Sequence, residues 1–251
     1  MATRIAILGD IHGNIAALDA AVKDIKKAKA ELILVTGDLV MNGPKPADVI
    51  DRLRDLEASA GTVVIQGNTD IAVADFDFAA AFPWLDEVSD AQRVVAEWTH
   101  DALSDEHLDW IRRLPSERRV MLGDHLMLVC HGSPGSQTSG LTVDLDPSVT
   151  VERVTRTDAR VIGCGHTHVA DVRELGRKLI VNPGSCGYAF DGDAGAAWAL
   201  LTIGEDGDGE PGAELMRTTY DATAVADEVS ARGLPGDVYR AATIRTGRFV
   251  R

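Results

Sequence analysis

The chain has 251 residues, 45% of them hydrophobic and 25% charged, which suits a soluble globular protein with a substantial core, as one large α/β domain or two small ones. Its formal net charge of −14 argues against long nucleic acid as a partner, because phosphate-backbone binding requires clustered Lys and Arg; a small phosphorylated substrate held through cations stays compatible. No apolar run approaches the roughly 20 residues of a membrane span, the apolar start at Arg4 to Gly9 is too brief for a signal peptide, and three Cys without such a signal point to the cytoplasm, with no membrane partner.

In chain order, Arg4 to Leu8 predicts a buried strand ended by Gly9-Asp10. Residues 14–29 place Ile15, Leu18, Ala21, Val22 and Ile25 at helical spacing, with lysines toward the carboxyl end. Leu32 to Thr36 reads as a second buried strand. Residues 46–58 read as a helix, with Pro46 in its first turn and Val49, Ile50, Leu53 and Leu56 on one face. Thr62 to Gln66 is a third strand, and strands alternating with helices imply a parallel sheet with right-handed crossovers. The pattern then breaks. Ile71 to Asp90 holds Phe76, Phe78, Phe82 and Trp84 among scattered acids with no clean period, which reads as an irregular insertion or lid near 71–115 whose aromatics pack locally, with a substrate-stacking lid as the lesser alternative.

Helices follow over 91–103 and 104–114, the second opened by Ser104 with Asp105 and Glu106 in its first turn. Beyond Pro115 the texture is β-rich. Residues 118–122 and 126–130 predict a hairpin across Gly123-Asp124, 149–155 a short helix, 160–164 a strand, and 169–175 with 178–181 a second hairpin. Strands at 196–203 and 214–219 flank a Gly-rich connection in which Glu205 to Glu210 reads as a solvated acidic turn. Residues 222–232 form a helix stopped by Gly233, and the last residues are weakly patterned. No repeat or linker divides the chain, which predicts a single domain over 1–251 built from two β-rich halves.

Five polar clusters hang off the ends of these apolar runs: Asp10-Ile11-His12-Gly13-Asn14, Gly37-Asp38, Gly67-Asn68, Cys130-His131-Gly132 and Gly165-His166-Thr167-His168. In open α/β sheets ligands bind beyond the carboxyl ends of strands, so groups far apart in sequence can converge there, with glycines permitting sharp turns. Two Asp, one Asn and four His are residue types that hold two divalent cations. A carboxylate bridges the ions, while imidazoles and an amide carbonyl fill the other positions. Two such ions roughly 3.5–4 Å apart activate a shared water and clamp both reacting oxygens of a phosphate ester. Taken singly, Asp10 would pass for a helix cap and Asn68 for a turn residue; their company argues for ligation. His100, His107 and His125 have no partner motif and read as surface residues. Cys130, Cys164 and Cys186 read as buried small hydrophobes, with no spacing for a Cys-based zinc site.

At these clusters the chain resembles the calcineurin-like metallophosphoesterase superfamily, whose order Asp-x-His, Gly-Asp, Gly-Asn, His, Gly-His-x-His runs here from Asp10 to His168. Gly37-Asp38-Leu39-Val40 followed by Gly43-Pro44, Val181-Asn182-Pro183-Gly184-Ser185, and Tyr220-Asp221 leading to Gly233-Leu234-Pro235 resemble a branch of small bacterial and archaeal phosphoesterases. The resemblance implies an α/β fold: a four-layer α/β/β/α sandwich of two mixed sheets flanked by helices. It also implies two divalent metals drawn from Mn, Fe, Ni, Co or Zn. One would be held by Asp10, His12, Asp38 and His168, the other by Asp38, Asn68, His131 and His166, with Asp38 as the bridge. The implied activity is hydrolysis of small phosphate esters by a metal-bridging hydroxide, phosphodiesters slightly preferred. Phosphomonoesters, dinucleoside polyphosphates, and a non-catalytic metal-bound scaffold or sensor are the alternatives.

Two departures shape the expectation. Many members carry His after the Asn, as a general acid for the leaving group; here Thr69 stands there, followed by Asp70. Thr is no acid at neutral pH, so Asp70, with Asn68 beside it, becomes the candidate catalytic residue if burial or a neighbouring carboxylate raises its pKa. Met41-Asn42-Gly43 stands where protein phosphatases have Asp-Arg-Gly. The missing phosphate-clamping Arg argues against Ser/Thr protein phosphatase activity.

Overall fold

The computed structural model describes residues 3–204 and 209–251. Two five-stranded sheets form its centre. The first contains β1 (Thr3–Leu8), β2 (Leu32–Val35), β3 (Thr62–Val64), β9 (Ala196–Ile203) and β10 (Gly212–Thr218), ordered β10-β9-β1-β2-β3. Strands β1, β2 and β3 are parallel, as their alternation with α1 (Ile15–Lys27) and α2 (Pro46–Ala60) predicts. Strands β9 and β10 return antiparallel along the β1 edge, so the sheet is mixed.

The second sheet contains β4 (Glu117–Leu122), β5 (His125–Cys130), β6 (Val161–Gly163), β7 (Asp171–Leu175) and β8 (Lys178–Asn182), in the order β4-β5-β6-β8-β7. Both hairpins expected from the sequence, β4 with β5 and β7 with β8, are present. Between β5 and β6 lies α7 (Pro147–Val154), opened by Asp146, whose carboxylate accepts the Ser148 N–H.

Alternation of side chains across each strand builds the layers. Ile5 and Ile7 point inward with Leu34, Met127, Val129, Val161, Val181 and Leu201, and these form the core between the sheets. Ala6 and Leu8, one residue out of phase, face the core shared with α1 and α2. On the far side Leu128, Ile162 and Ile180 pack with Val154 of α7. The result is the α/β/β/α sandwich that the resemblance implies.

Residues 68–113 carry α3 (Asn68–Asp75), α4 (Phe78–Ala81), α5 (Asp90–Asp101) and α6 (Asp105–Arg113). The stretch read as irregular therefore contains two short helices, because α3 starts directly on the Gly67 turn and Asp77 caps α4 through the Ala80 N–H. The chain ends in α8 (Ala222–Arg232) and α9 (Asp237–Thr246), which pack on Tyr188. Helix α9 has no counterpart in the sequence reading. Its buried face includes Asp237, Arg240 and Thr243, so a hydrophobic pattern does not announce it. The acidic turn read at Glu205 to Glu210 falls mainly outside the described residues; Glu210, within them, pairs with Arg160. Cys130, Cys164 and Cys186 are buried free thiols. No helix of the described residues is long and apolar enough to cross a membrane.

Candidate metal centre

The loops after β1, β2, β3, β5 and β6 meet at one end of the sandwich, where backbone hydrogen bonds fasten them together. The Asp10 N–H donates to the Gly37 carbonyl at 2.9 Å, the His12 N–H to Asp38 at 3.0 Å, and the Gly165 N–H to His131 at 2.7 Å. The turns demand close approach: a Cβ on Gly43 would lie 1.9 Å from the His12 carbonyl oxygen. Five candidate ligands have left-handed backbones, with φ of 51° at Asp10, 51° at His12, 53° at Asp38, 69° at His166 and 58° at His168. Such conformations are costly for residues other than glycine and cluster at functional sites.

The side chains of Asp10, His12, Asp38 and His168 gather so that one ligand atom from each lies within 4.8 Å of the others. All four are buried. Asp38 then turns to a second set: its Oδ1 lies 3.3 Å from His131 Nε2, while its Oδ2 lies 3.7 Å from His12 Nε2. Asn68 Oδ1 is 2.9 Å from His131 Nε2 and 3.0 Å from His166 Nδ1. The seven residues singled out in the sequence as ligands thus come together.

Their outer contacts aim the donors inward. His12 Nδ1 donates to the Met41 carbonyl at 2.8 Å, His131 Nδ1 to Thr36 at 2.7 Å, and His168 Nδ1 to Tyr188. A carbonyl only accepts, so Nδ1 carries the proton and Nε2 faces the centre. Asn68 Nδ2 donates to the Ala81 carbonyl at 3.0 Å, which leaves its Oδ1 for the centre. In the neutral tautomers His12 Nε2 and His168 Nε2 are lone-pair atoms only 3.2 Å apart. Acceptors turned toward each other in a buried place are satisfied by a cation.

The proton equilibria carry the same demand. Burial opposes ionisation of Asp38, but His131 and then His12 overcome it and hold the carboxyl well below the usual range. Burial likewise works against charge on His131, yet Asp38 and Asp10 push its pKa up to about 9. His168 is raised despite burial, chiefly by Asp10. Burial, then His168, lowers His12 to about 4; burial, then His131, lowers His166 to about 4. Two buried carboxylates draw positive charge into a site that dehydrates it, and a coordinated cation meets that demand. The donor set therefore fits a metal.

The profile of the calcineurin-like phosphoesterase superfamily domain matches residues 3–206. The chain belongs to that superfamily. An uncharacterized protein of Methanocaldococcus jannaschii is 24% identical over 246 residues, covering 92% of this chain and 93% of its own length. A hypothetical protein from Pyrococcus horikoshii shares the fold, with a TM-score of 0.82, 21% identity and 98% of each chain covered. A metallophosphoesterase from Sphaerobacter thermophilus superposes with a TM-score of 0.73 at 25% identity, covering 98% of this chain and all of its own. Both superpositions cover nearly the whole chain, whereas the family profile stops at residue 206. The chain is accordingly a metallophosphoesterase with a candidate metal site at Asp10, His12, Asp38 and His168.

Around the centre of this phosphoesterase, supporting residues follow the branch motifs. Asn182 Nδ2 donates to the Gly165 carbonyl and to Thr167 Oγ1, each at 2.9 Å, and so holds the loop that carries both histidines. Ser185 Oγ donates to the Asp10 carbonyl at 2.6 Å. Asn14 caps α1 through the Ala17 N–H and donates to the Tyr220 hydroxyl.

Asp70 is placed differently from the expectation of a general acid. It is fully buried and does not line the cleft. Its Oδ1 accepts the Leu39 N–H at 2.8 Å and its Oδ2 the Gly67 N–H at 2.9 Å. Burial and then Asp38 push its pKa up to about 7, but the carboxyl spends both oxygens tying the start of α3 to the loop after β2. These contacts hold the loops that carry Asp38 and Asn68, and the carboxyl stands off the cleft wall. Thr69, in the position of the missing His, does line the cleft.

The cleft over the centre encloses about 500 Å³. The sequence reading missed much of its wall. Trp84, for which the sequence favours local packing over substrate stacking, lines the cleft; Phe190, Tyr239, Arg240 and Phe249 carry no motif. The weak pattern of the last residues hid the last three. The three unassigned histidines sit away from the cleft: His100 is held by the Val73 carbonyl, His107 by Asp51 and His125 by the Gly209 carbonyl.

Proposed function

We propose that this protein is a binuclear metal-dependent hydrolase of small phosphate esters, with phosphodiesters preferred over monoesters. Asp38 carries the reading, because its two carboxylate oxygens face two different donor sets. Asp10, His12, Asp38 and His168 would hold one ion, and Asp38, Asn68, His131 and His166 the other. When bound, two divalent ions supply a nucleophile from water at neutral pH and neutralise charge on the phosphate.

The residues contribute position and exclusion. Carbonyls of Met41, Thr36 and Tyr188 lock the imidazoles, so little reorganisation is needed during the reaction. Asp70 fixes the loops that carry Asp38 and Asn68. Thr69 places a hydroxyl where relatives carry an imidazole, and its Oγ1 is buried without a hydrogen-bond partner among the described residues. A hydroxyl does not protonate a leaving group at neutral pH, so leaving groups stable as anions, such as phenolates, are favoured. This is the ground for preferring activated diesters.

The test is metal stoichiometry together with hydrolysis of bis(4-nitrophenyl) phosphate, with Mn²⁺ as the first ion tried. Wild type should bind two ions per chain and turn over the diester. Asp38→Ala should bind fewer ions and lose metal-stimulated activity, as should His131→Ala. Full activity in both variants would overturn the reading. Stoichiometric metal with no turnover of mono- or diesters would favour a scaffold or sensor instead.

A further inference from the structure

The cleft has two aromatic sides, each resting on a different histidine of the centre. On one side Trp84 meets the His166 ring edge-on at 5.9 Å between centroids, backed by Phe82 at 5.8 Å. On the other, Phe190 stacks on the His168 ring at 4.2 Å, and Phe249 leans on Phe190 at 4.9 Å. Holding the histidines requires neither wall. His168 is fixed by the Tyr188 carbonyl, while His166 is fixed through its backbone N–H on Asp10 and its ring on Asn68.

Yet Trp84 is 54% exposed and Phe249 55% exposed, both on the wall of the cleft. Tyr239 of α9, 49% exposed, joins them. Scattered surface aromatics need no explanation, but a group rimming one concave site marks a binding surface. Arg240, also on the wall, is engaged by Asp237, Asn42 and the carbonyls of Pro235 and Ala91. Its charge is therefore already matched; Gln92 and Arg251 add polar groups to the wall, and the exposed rings offer stacking to a planar substituent. Both aromatic sides adjoin the place where phosphorus would sit, so a substrate is offered a planar contact in two directions.

We propose that the cleft selects phosphodiesters that carry a planar aromatic group, aryl or nucleobase, on each side of phosphorus, one held by Trp84 and the other by Phe249. The proposal rests on the hydrolase reading above and adds the class of ester. Trp84 and Phe249 act as specificity residues, without a part in bond cleavage.

The experiment compares bis(4-nitrophenyl) phosphate with methyl 4-nitrophenyl phosphate, which release the same 4-nitrophenolate and differ in the second substituent. Wild type should favour the diaryl ester by about tenfold in kcat/KM, the size of one stacked ring. Trp84→Ala and Phe249→Ala should each lose about tenfold on the diaryl ester, mainly through KM. Trp84→Phe and Phe249→Tyr should restore most of the loss. Metal content should stay unchanged.

A second readout is calorimetric binding of diphenyl phosphate against dimethyl phosphate to the metal-loaded protein. Diphenyl phosphate should bind more tightly, and the preference should shrink in both Ala variants. Competition by adenylyl-(3′→5′)-adenosine separates the sources: stronger binding than diphenyl phosphate assigns nucleobases, weaker binding assigns aryl groups. Equal binding of diphenyl and dimethyl phosphate, or equal loss on both esters in Trp84→Ala and in Phe249→Ala alike, would overturn the proposal. Preferential binding of diphenyl phosphate with no turnover of any ester would leave the aromatic cleft standing and sink the hydrolase reading instead.

Discussion

Asp237→Ala should loosen the carboxyl-terminal helices and, through them, the loop beside the metal centre. The Asp237 carboxylate accepts Arg232 Nε at 3.0 Å and Nη2 at 2.6 Å, Arg240 Nη1 at 3.0 Å, and the Leu234 N–H at 2.9 Å. All three charged side chains are less than a tenth exposed. Removing the one anion leaves two buried guanidiniums facing each other, a loss of about 3–5 kcal/mol. The same arginines hold the carbonyls of Asn42 and Gly43 and the Asn42 side chain, and Gly43 packs against the His12 carbonyl. Metal affinity should therefore fall together with stability. Burial works against ionisation of Asp237, but Arg232 and the Leu234 N–H outweigh it and lower its pKa. A carboxyl with a lowered folded pKa contributes stability above its unfolded value of about 3.9, and the contribution is lost as pH falls through the folded value. Urea unfolding of wild type and variant should thus show the widest gap near neutrality, closing in acid. A gap below about 1 kcal/mol at neutral pH, the size of an exposed pair, would refute the reasoning.

Other substitutions probe the remaining parts of the site. Asp70→Asn puts an amide donor against one of two backbone N–H groups and should destabilise the protein by about 1–3 kcal/mol. It should slow esters with good and poor leaving groups alike; selective slowing of poor ones would restore Asp70 as an acid. Gly43→Ala forces a backbone shift at His12 and should weaken metal binding in a calorimetric titration, whereas Gly176→Ala, where a Cβ meets nothing within 4 Å, should leave metal binding unchanged. Thr69→His should raise the rate for alkyl leaving groups relative to 4-nitrophenolate, read from a leaving-group series. An unchanged series would show that the position does not reach the leaving oxygen.

The strands were legible in local alternation, whereas the sandwich and the candidate ligands were implied by the family resemblance that the ordered motifs carry. Ile5 and Ile7 alternate with Ala6 and Leu8, and the histidines follow strands in a fixed order. Helix α9 was not legible, since Asp237 and Arg240 are buried by pairing rather than by hydrophobicity. The role of Asp70 also stayed hidden. Its neighbours in sequence suggested an acid, whereas its partners are the Gly67 amide close by and the Leu39 amide 31 residues away. The aromatic walls come from residues 84, 190 and 249, which share no motif and meet only in the folded chain.

The left-handed backbones of Asp10, His12, Asp38, His166 and His168 set conformational stability against activity. Each costs on the order of 1 kcal/mol that glycine would not incur. Replacing any of these five by glycine should weaken metal binding while relieving backbone strain. Selection for hydrolysis keeps a side chain where the fold alone would prefer none. Glycine at these places in a related chain would then mark a retired catalyst, a more discriminating sign than the loss of any one ligand to alanine.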